Sequence, residues 1–255
     1  MKISTKNEVI STTFMLGEPL LQLDETDSTN RVALEWNDAP HGAAVVARAQ
    51  TSGRGRLGRS WESAADLGLY LSLILRVENS SAPLYSLASA LGVALALENL
   101  TGASFRVKWP NDVLCLASSG AAQKVGGILC EGKAGKLVVG VGVNVNQSAA
   151  QLPPRPIFPA SSLALQSGTW WEIDAVLQAV LNELNEVLPR LENAGWSVLR
   201  GEFERKCLGI GEVVRVKLEA ETVIGVFDSV GENGALVLRT AGGLRPIIAG
   251  DVSYF

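Results

Sequence analysis

The stretch KVGGILCEGKAGKLVVGVGVNV, residues 124–145, decides how this chain folds. Two runs rich in Val, Ile, Leu and Gly, about 124–132 and 136–145, flank Gly132-Lys133-Ala134-Gly135. Apolar β-type runs joined by a short Gly-containing loop predict a hairpin. Upstream, 20–24 and 43–48 read as short strands, and Leu69, Leu71, Leu73, Leu75 and Val77 alternate with Tyr70, Ser72, Ile74 and Arg76. That period of two predicts a strand with one face in the core. A further strand is expected at 104–108. Asp27-Ser28-Thr29-Asn30 is a run of capping residues before a helix to about Trp36, and 84–100 is apolar nearly all round, as a buried helix is. Thr169 and Glu172 fit a capping box ahead of the stripe Val176, Leu177, Val180, Leu181, Leu184, Val187, Leu188. A second short helix is expected over 196–206. Strands and helices mix without a regular βαβ alternation, which predicts an α+β fold. After Cys207 the texture turns to β, near 212–218, 222–228, 234–240 and 244–248. The expected division is a larger domain, 1–206, and a small β-barrel, 207–255.

Composition narrows the chemistry. The chain has 255 residues, 47% hydrophobic and 19% charged, which is a globular composition. A net charge of −4 argues against a surface given over to nucleic acid. There is one histidine, His41, read as an ordinary surface residue, and three cysteines, Cys115, Cys130 and Cys207. Their spacing matches no zinc motif, and three scattered cysteines make no disulfide framework. Any catalysis is therefore expected from Lys, Arg, Asp and backbone groups. The N-terminal residues lack the apolar core of a signal peptide, and the apolar runs fall short of the ~18 residues of a membrane span. A cytoplasmic protein without a membrane role is expected.

Within this acidic chain, residues 48–61 hold Arg48, Arg54, Arg56 and Arg59 and no acid, a local +4. Alternating Gly and Arg either makes a solvated turn or lets N–H groups and guanidinium forks close on an anion. Gly53-x-Gly55-x-x-Gly58 has the spelling of a dinucleotide fingerprint, but no helix opens at its last glycine, so that reading is rejected. No GxxxxGK[ST] sequence is present. Lys108-Trp109-Pro110-Asn111-Asp112 at a strand end reads either as a phosphate or metal contact or as a plain Asx turn. Lys124 beside Gly126-Gly127 either aims at a ligand or protects a strand edge. Gly140, Gly142 and Asn144 belong to a segment with six glycines between 124 and 146, suited to a ligand lying flat on the sheet or to a bulge.

Taken in order, Asp27-Ser28-Thr29-Asn30, Gln50, Gly53-Arg54-Gly55-Arg56-Leu57-Gly58-Arg59-x-Trp61, Lys108-Trp109-Pro110-Asn111-Asp112, Lys124-x-Gly126-Gly127-Ile128-Leu129 and Gly140-x-Gly142-x-Asn144 resemble the biotin–protein ligases. The resemblance spans roughly residues 20–255. It implies a class II synthetase-like catalytic domain with a mixed sheet and a small C-terminal SH3-like barrel. It implies an enzyme that forms biotinyl-5′-AMP from biotin and ATP with Mg²⁺, then passes biotin to one lysine of a biotin carboxyl carrier protein. Lys124, Arg54 and Arg56 would be catalytic. Ser28, Thr29, Asn30, Gln50, Gly53, Arg54, Gly55, Arg56, Lys124, Gly126 and Gly127 would bind biotin. Arg56, Arg59, Trp61, Lys108, Asn111 and Asn144 would bind the nucleotide, and Asp112 a metal ion. Members of the family that also act as repressors carry an N-terminal DNA-binding domain, and about 20 residues before the first strand imply the form without one. Homodimers through sheet edges occur in the family. The neighbouring reading is a lipoate or octanoate ligase or transferase of related fold. Transferases of that kind need a nucleophilic cysteine, which neither Cys115 nor Cys130 resembles. A third reading is a non-catalytic biotin sensor, which the intact Lys124 and Arg54 oppose.

Overall fold

The computed structural model describes residues 15–77, 81–117, 120–133, 135–154 and 158–254. The first fourteen residues, read above for a leader, lie outside that description, as do Ala134 of the hairpin loop and residues 155–157. The chain runs β1 (Leu20–Thr26), α1 (Thr29–Glu35), β2 (Ala44–Gln50), β3 (Gly68–Leu75), α2 (Ala82–Thr101), β4 (Ser104–Lys108), β5 (Asp112–Leu116), β6 (Ala122–Lys133) and β7 (Lys136–Asn144). It continues through α3 (Leu163–Ser167), α4 (Ile173–Ala194) and α5 (Ser197–Lys206). It ends with β8 (Val213–Lys217), β9 (Thr222–Val230), β10 (Leu236–Thr240), β11 (Gly243–Ile247) and β12 (Asp251–Tyr254).

The predicted hairpin is β6–β7, and it is central. The seven-stranded sheet has the order β1-β2-β3-β7-β6-β5-β4. β1 and β2 run parallel and the other neighbours antiparallel, so the sheet is mixed. Lys133 pairs with Lys136, and Gly135 beside that pair sits at φ +72°, a conformation that costs glycine little.

α2 and α4 cover one face of the sheet. α2 begins with proline in its first turn and ends on Gly102 at φ 71°. It is long and apolar enough to cross a membrane, contrary to the run lengths read from sequence, but 61% of that apolar window is buried inside the protein. Here it serves as the central core helix against α4. α1 covers part of the opposite face, where Ala33, Ile74 and Val138 form a second small core. For that reason every residue of β3 is buried, where the alternation predicts only one buried face.

Three other expectations change. α4 starts at Ile173 with Glu172 as its cap and no side-chain bond, so Thr169 caps nothing. The chain is held extended just before it: Trp171 exchanges two hydrogen bonds with the Asn146 amide, 3.0 and 2.7 Å, and the first turn forms later. Two short strands join those anticipated, β5 directly after the Trp109–Asn111 turn and β12 at the C-terminus. His41 is half-buried: Gly42 N–H bonds Ile74 O at 2.8 Å, folding the loop onto β3. The His41 Nδ1 then accepts from Arg76 N–H at 3.2 Å, and its Nε2 lies 3.6 Å from Glu192.

β8–β12 form an antiparallel sheet in the order β11-β10-β9-β8-β12, with no pairing between its two ends among the described residues. Its buried residues Val214, Val216, Phe227 and Leu238 belong to the same apolar cluster as the larger sheet. The buried Trp109 indole N–H donates to Gly234 O at 3.0 Å, tying the 109–111 turn to this second sheet.

Candidate functional site

A groove opens over the middle of the larger sheet, lined by the start of α1, the Gly/Arg loop, the Lys108–Asp112 turn, β6, β7 and Asp251 of β12. The Gly/Arg loop is a hairpin. Gly55 N–H bonds Arg59 O at 2.7 Å and Trp61 N–H bonds Gly53 O at 2.9 Å. Its tip carries Leu57 at φ 57° and Gly58 at φ 71°, closed by Arg59 N–H to Arg56 O at 3.2 Å. Two left-handed residues in succession make a tight primed turn, which Leu57 occupies at a cost of about 1 kcal/mol.

The α1 end of the groove is a polar network on buried side chains. Ser28 caps α1 and accepts weakly from Arg54 Nε at 3.4 Å. Gln50 Oε1 accepts from Thr29 N–H at 2.8 Å and faces its hydroxyl at 3.1 Å, while Gln50 Nε2 donates to Ser63. Asn30 Oδ1 accepts from Ser72 at 2.6 Å, and its Nδ2 donates to Leu129 O at 3.2 Å and Glu131 at 2.7 Å. A Cβ on Gly140 would stand 2.3 Å from Asn30 Oδ1. That glycine is required by a side chain of the protein itself.

The floor is glycine for a second reason. A Cβ on Gly142 would lie 2.6 Å from the Trp61 indole, and one on Gly127 3.5 Å from it. Trp61 therefore packs against the sheet at glycines that the sequence reading gave either to a ligand or to a bulge. Its indole N–H is buried and bonded to no other described atom.

Lys124 and Gly127 are three residues apart and in a regular strand would face opposite ways. The β5–β6 register shifts between Val113 and Leu114, and this bulge turns Val125 into the core and brings Lys124 and Gly127 to the same face. The Lys124 ammonium then stands 5.6 Å from the Trp61 ring centroid and 2.5 Å from Asp112 Oδ1. The other Asp112 oxygen is 3.9 Å from Lys108. Burial pulls the Lys108 ammonium below its ordinary value, and Asp112 partly offsets this. Arg56 donates to Asn111 Oδ1 at 3.0 Å, and Asn111 Nδ2 donates to Ile128 O at 2.8 Å. Burial also lowers the Arg56 guanidinium from its usual range.

The local +4 of the loop is largely compensated by distant acids. Arg48 pairs with Asp66 at 2.7 Å, Arg54 with Glu131 at 3.0 Å, and Arg59 with Asp251 at 2.5 Å. The groove is still bordered by Arg54, Arg56, Arg59, Lys108 and Lys124 against Asp112 and Asp251, a surplus of cations that suits a polyanion.

Not every sequence candidate lines this groove. Gly53 lies behind the loop, where a Cβ would meet Trp61 O at 2.4 Å. Gly126 faces Val113 and Val143, away from the groove. Asn144 donates to Ser161 O at 3.0 Å, and Ser161 N–H bonds Lys124 O at 2.8 Å, so Asn144 steadies the strand that carries Lys124. Asp112, expected at a metal ion, instead sits between two ammonium groups, and a cation held there by the protein would be repelled by both. Among the described residues no three His, Cys, Asp or Glu side chains group as a metal site. Cys130 is partly buried against the core, and burial pushes its thiol up to about 12. The structure adds Ser72, Glu131 and Asp251. Glu131 shares the groove-facing parity of Gly127 and Leu129 on β6, a signal readable in the sequence; Asp251 arrives from the other sheet.

A profile of the Biotin/lipoate A/B protein ligase family matches residues 22–148, and one of the Biotin protein ligase C terminal domain matches residues 209–254. The chain is similar to the bifunctional ligase/repressor BirA of Bacillus spizizenii, 32% identical over 94% of this chain and 75% of that one. It is also similar to the biotin–[acetyl-CoA-carboxylase] ligase of Paracoccus denitrificans, 32% identical over 91% of this chain and 99% of that one. Among solved structures, the biotin protein ligase of Aquifex aeolicus in complex with biotin and ATP superposes with a TM-score of 0.77 at 35% identity, covering 92% of this chain and 98% of that one.

Proposed function

The chain belongs to the biotin protein ligase family, and from that premise we propose that the groove joins biotin to ATP and then delivers biotin to a lysine of a biotin carboxyl carrier protein. The observation that carries this reading is Lys124, placed by the bulge at Val125 among the cations of a groove whose floor is glycine. In the first step a biotin carboxylate oxygen bonds to the α-phosphorus, the bond to the bridging oxygen breaks, and pyrophosphate leaves. Two anions must meet, so positive charge and positioning do the work. Lys124 bridges the carboxylate and the α-phosphate, and Arg54 and Arg56 close over them from the hairpin. Ser28, Thr29, Asn30 and Gln50 bind the ureido end, since a neutral cyclic urea needs matched donors and acceptors. Arg59, Lys108, Asn111 and Trp61 take the nucleotide, Trp61 as an apolar lid beside the adenine. Mg²⁺ enters as the counter-ion of ATP and part of that substrate, while Asp112 balances the two lysines. In the second step the acceptor lysine, as a neutral amine, attacks the biotinyl carbonyl, AMP leaves, and the nitrogen's proton passes to solvent, with Asp112 as a charge partner for the incoming lysine.

Three further readings accompany this one. The larger sheet is class II synthetase-like and β8–β12 an SH3-like barrel, divided at residues 206/207, a boundary supported by the second profile's start at 209. Three free thiols suit a cytoplasmic setting. Association of two copies would use the β1 edge, which among the described residues pairs on one side only.

The test is transfer. With ATP, Mg²⁺ and a biotin carboxyl carrier domain, biotin should add one biotinyl group to one lysine, read by intact mass, and lipoate should add nothing. Lipoyl addition without biotinyl addition would sink the reading. Gly140→Ala tests the biotin end: Asn30 is held by three partners and must move. Overpacking costs about 1–3 kcal/mol, so the KM for biotin should rise about 5- to 150-fold while that for ATP holds. An unchanged KM for biotin would remove Asn30 from the biotin site.

A further inference from the structure

Lys136, the first residue of β7, is 5% exposed, and no part of the chemistry above uses it. Its ammonium donates to Ala33 O at 3.2 Å, Leu34 O at 3.2 Å and Trp36 O at 2.7 Å. These are carbonyls at the C-terminal end of α1, which carries no basic residue in its own last turn. Such carbonyls lack helical partners and hold the negative end of the helix dipole. A lysine from another element supplies the missing cation.

The consequence follows from strand parity. Lys136, Val138, Gly140 and Gly142 lie on one face of β7. Lys136 holds the C-terminal end of α1, Val138 packs in the small core with Ala33, and Gly140 makes room for Asn30 near its N-terminal end. The seven residues of α1 rise about 10 Å, within the about 14 Å of β7 between Lys136 and Gly140, so these two residues bracket the helix. A helix this short is unstable alone, and its position along the sheet is set by these contacts.

We propose that Lys136 is a positioning residue for biotin, fixing α1 along β7 and thereby placing Ser28, Thr29 and Asn30 in the groove. The inference rests on the reading of those three as biotin ligands. Lys136→Met keeps the apolar stem and removes three donors and the charge. In biotin-dependent ATP–pyrophosphate exchange its KM for biotin should rise about 10-fold or more, with kcat within about threefold and the KM for ATP within about twofold. Lys136→Arg should recover part of the biotin KM. A residue serving stability alone would lower the melting temperature and leave the biotin KM of the folded enzyme unchanged, and that result overturns the proposal. If Lys136→Met does not fold, Lys136→Gln, which keeps two N–H donors, is judged by the same KM; loss of fold in both makes the residue purely structural and also overturns it. A wild-type enzyme without biotin-dependent exchange brings down the functional reading and this inference together. Active wild type with an unshifted variant brings down this inference alone.

Discussion

Lys124→Ala should abolish biotinyl-adenylate formation, by roughly 10³-fold or more, while the protein still folds. The size follows from the task. A carboxylate and a phosphate repel each other as they approach, and one preorganised donor in such a site is worth about 10²–10³-fold; this donor also carries full charge. The fold should survive because the lysine leaves behind an accommodated partner. Asp112 retains Lys108 at 3.9 Å and is still 18% exposed. The surrounding glycine floor and the bulge at Val125 are backbone features that do not need the ammonium. Radiolabelled adenylate measured beside thermal denaturation checks both halves. Adenylate formed at the wild-type rate by a folded variant would remove Lys124 from the chemistry.

Arg56→Gly should act differently, by losing the intermediate. Arg56 is bonded to Asn111 across the groove, while Arg59 pairs with Asp251 of β12. Hydrogen bonds from a charged donor are worth about 1.5–3 kcal/mol, so the adenylate should escape about 10- to 100-fold faster. A second glycine after Gly55 also loosens a hairpin whose tip already holds Leu57 in a left-handed conformation. Escaped adenylate acylates any accessible amine, so lysines on bystander proteins should become biotinylated in proportion to their concentration. Labelling confined to the carrier lysine, with adenylate retained as in wild type, would contradict a closing role for the loop.

Local pattern carried much of this architecture. The hairpin at 124–145, the capping run at Ser28, the buried helix α2 and the stripe of α4 were all readable from residue type and spacing. What escaped was set by neighbours far along the chain. β3 alternates, yet both faces are buried because α1 returns to cover the second, and no window around residue 70 contains that fact. The capping box at Thr169 has the right letters, but Asn146 holds Trp171 extended and postpones the helix. β5, directly after a turn, and β12, at the C-terminus, have five and four residues and are too short for periodicity to declare themselves.

The site divides in the same way. Its cations and glycines could be named in advance, and the groove gathers most of them. The purpose of the glycines could not: Gly140 and Gly142 admit Asn30 and Trp61 of the chain itself. That Lys124 and Gly127 face the same way depends on one bulge, which a sequence does not spell. The +4 loop, conspicuous as a charge excess, is held by Asp66, Glu131 and Asp251 from three other places, and only the fold brings them to it.

The most direct test of the account is ATP–pyrophosphate exchange with biotin as the sole carboxylic acid supplied, run on the wild-type chain and on Lys124→Ala. The account predicts label passing from pyrophosphate into ATP with wild type and biotin together, and none when biotin is replaced by lipoate or Lys124 by alanine. Exchange that proceeds with lipoate but not biotin, or that survives the loss of Lys124, would contradict it.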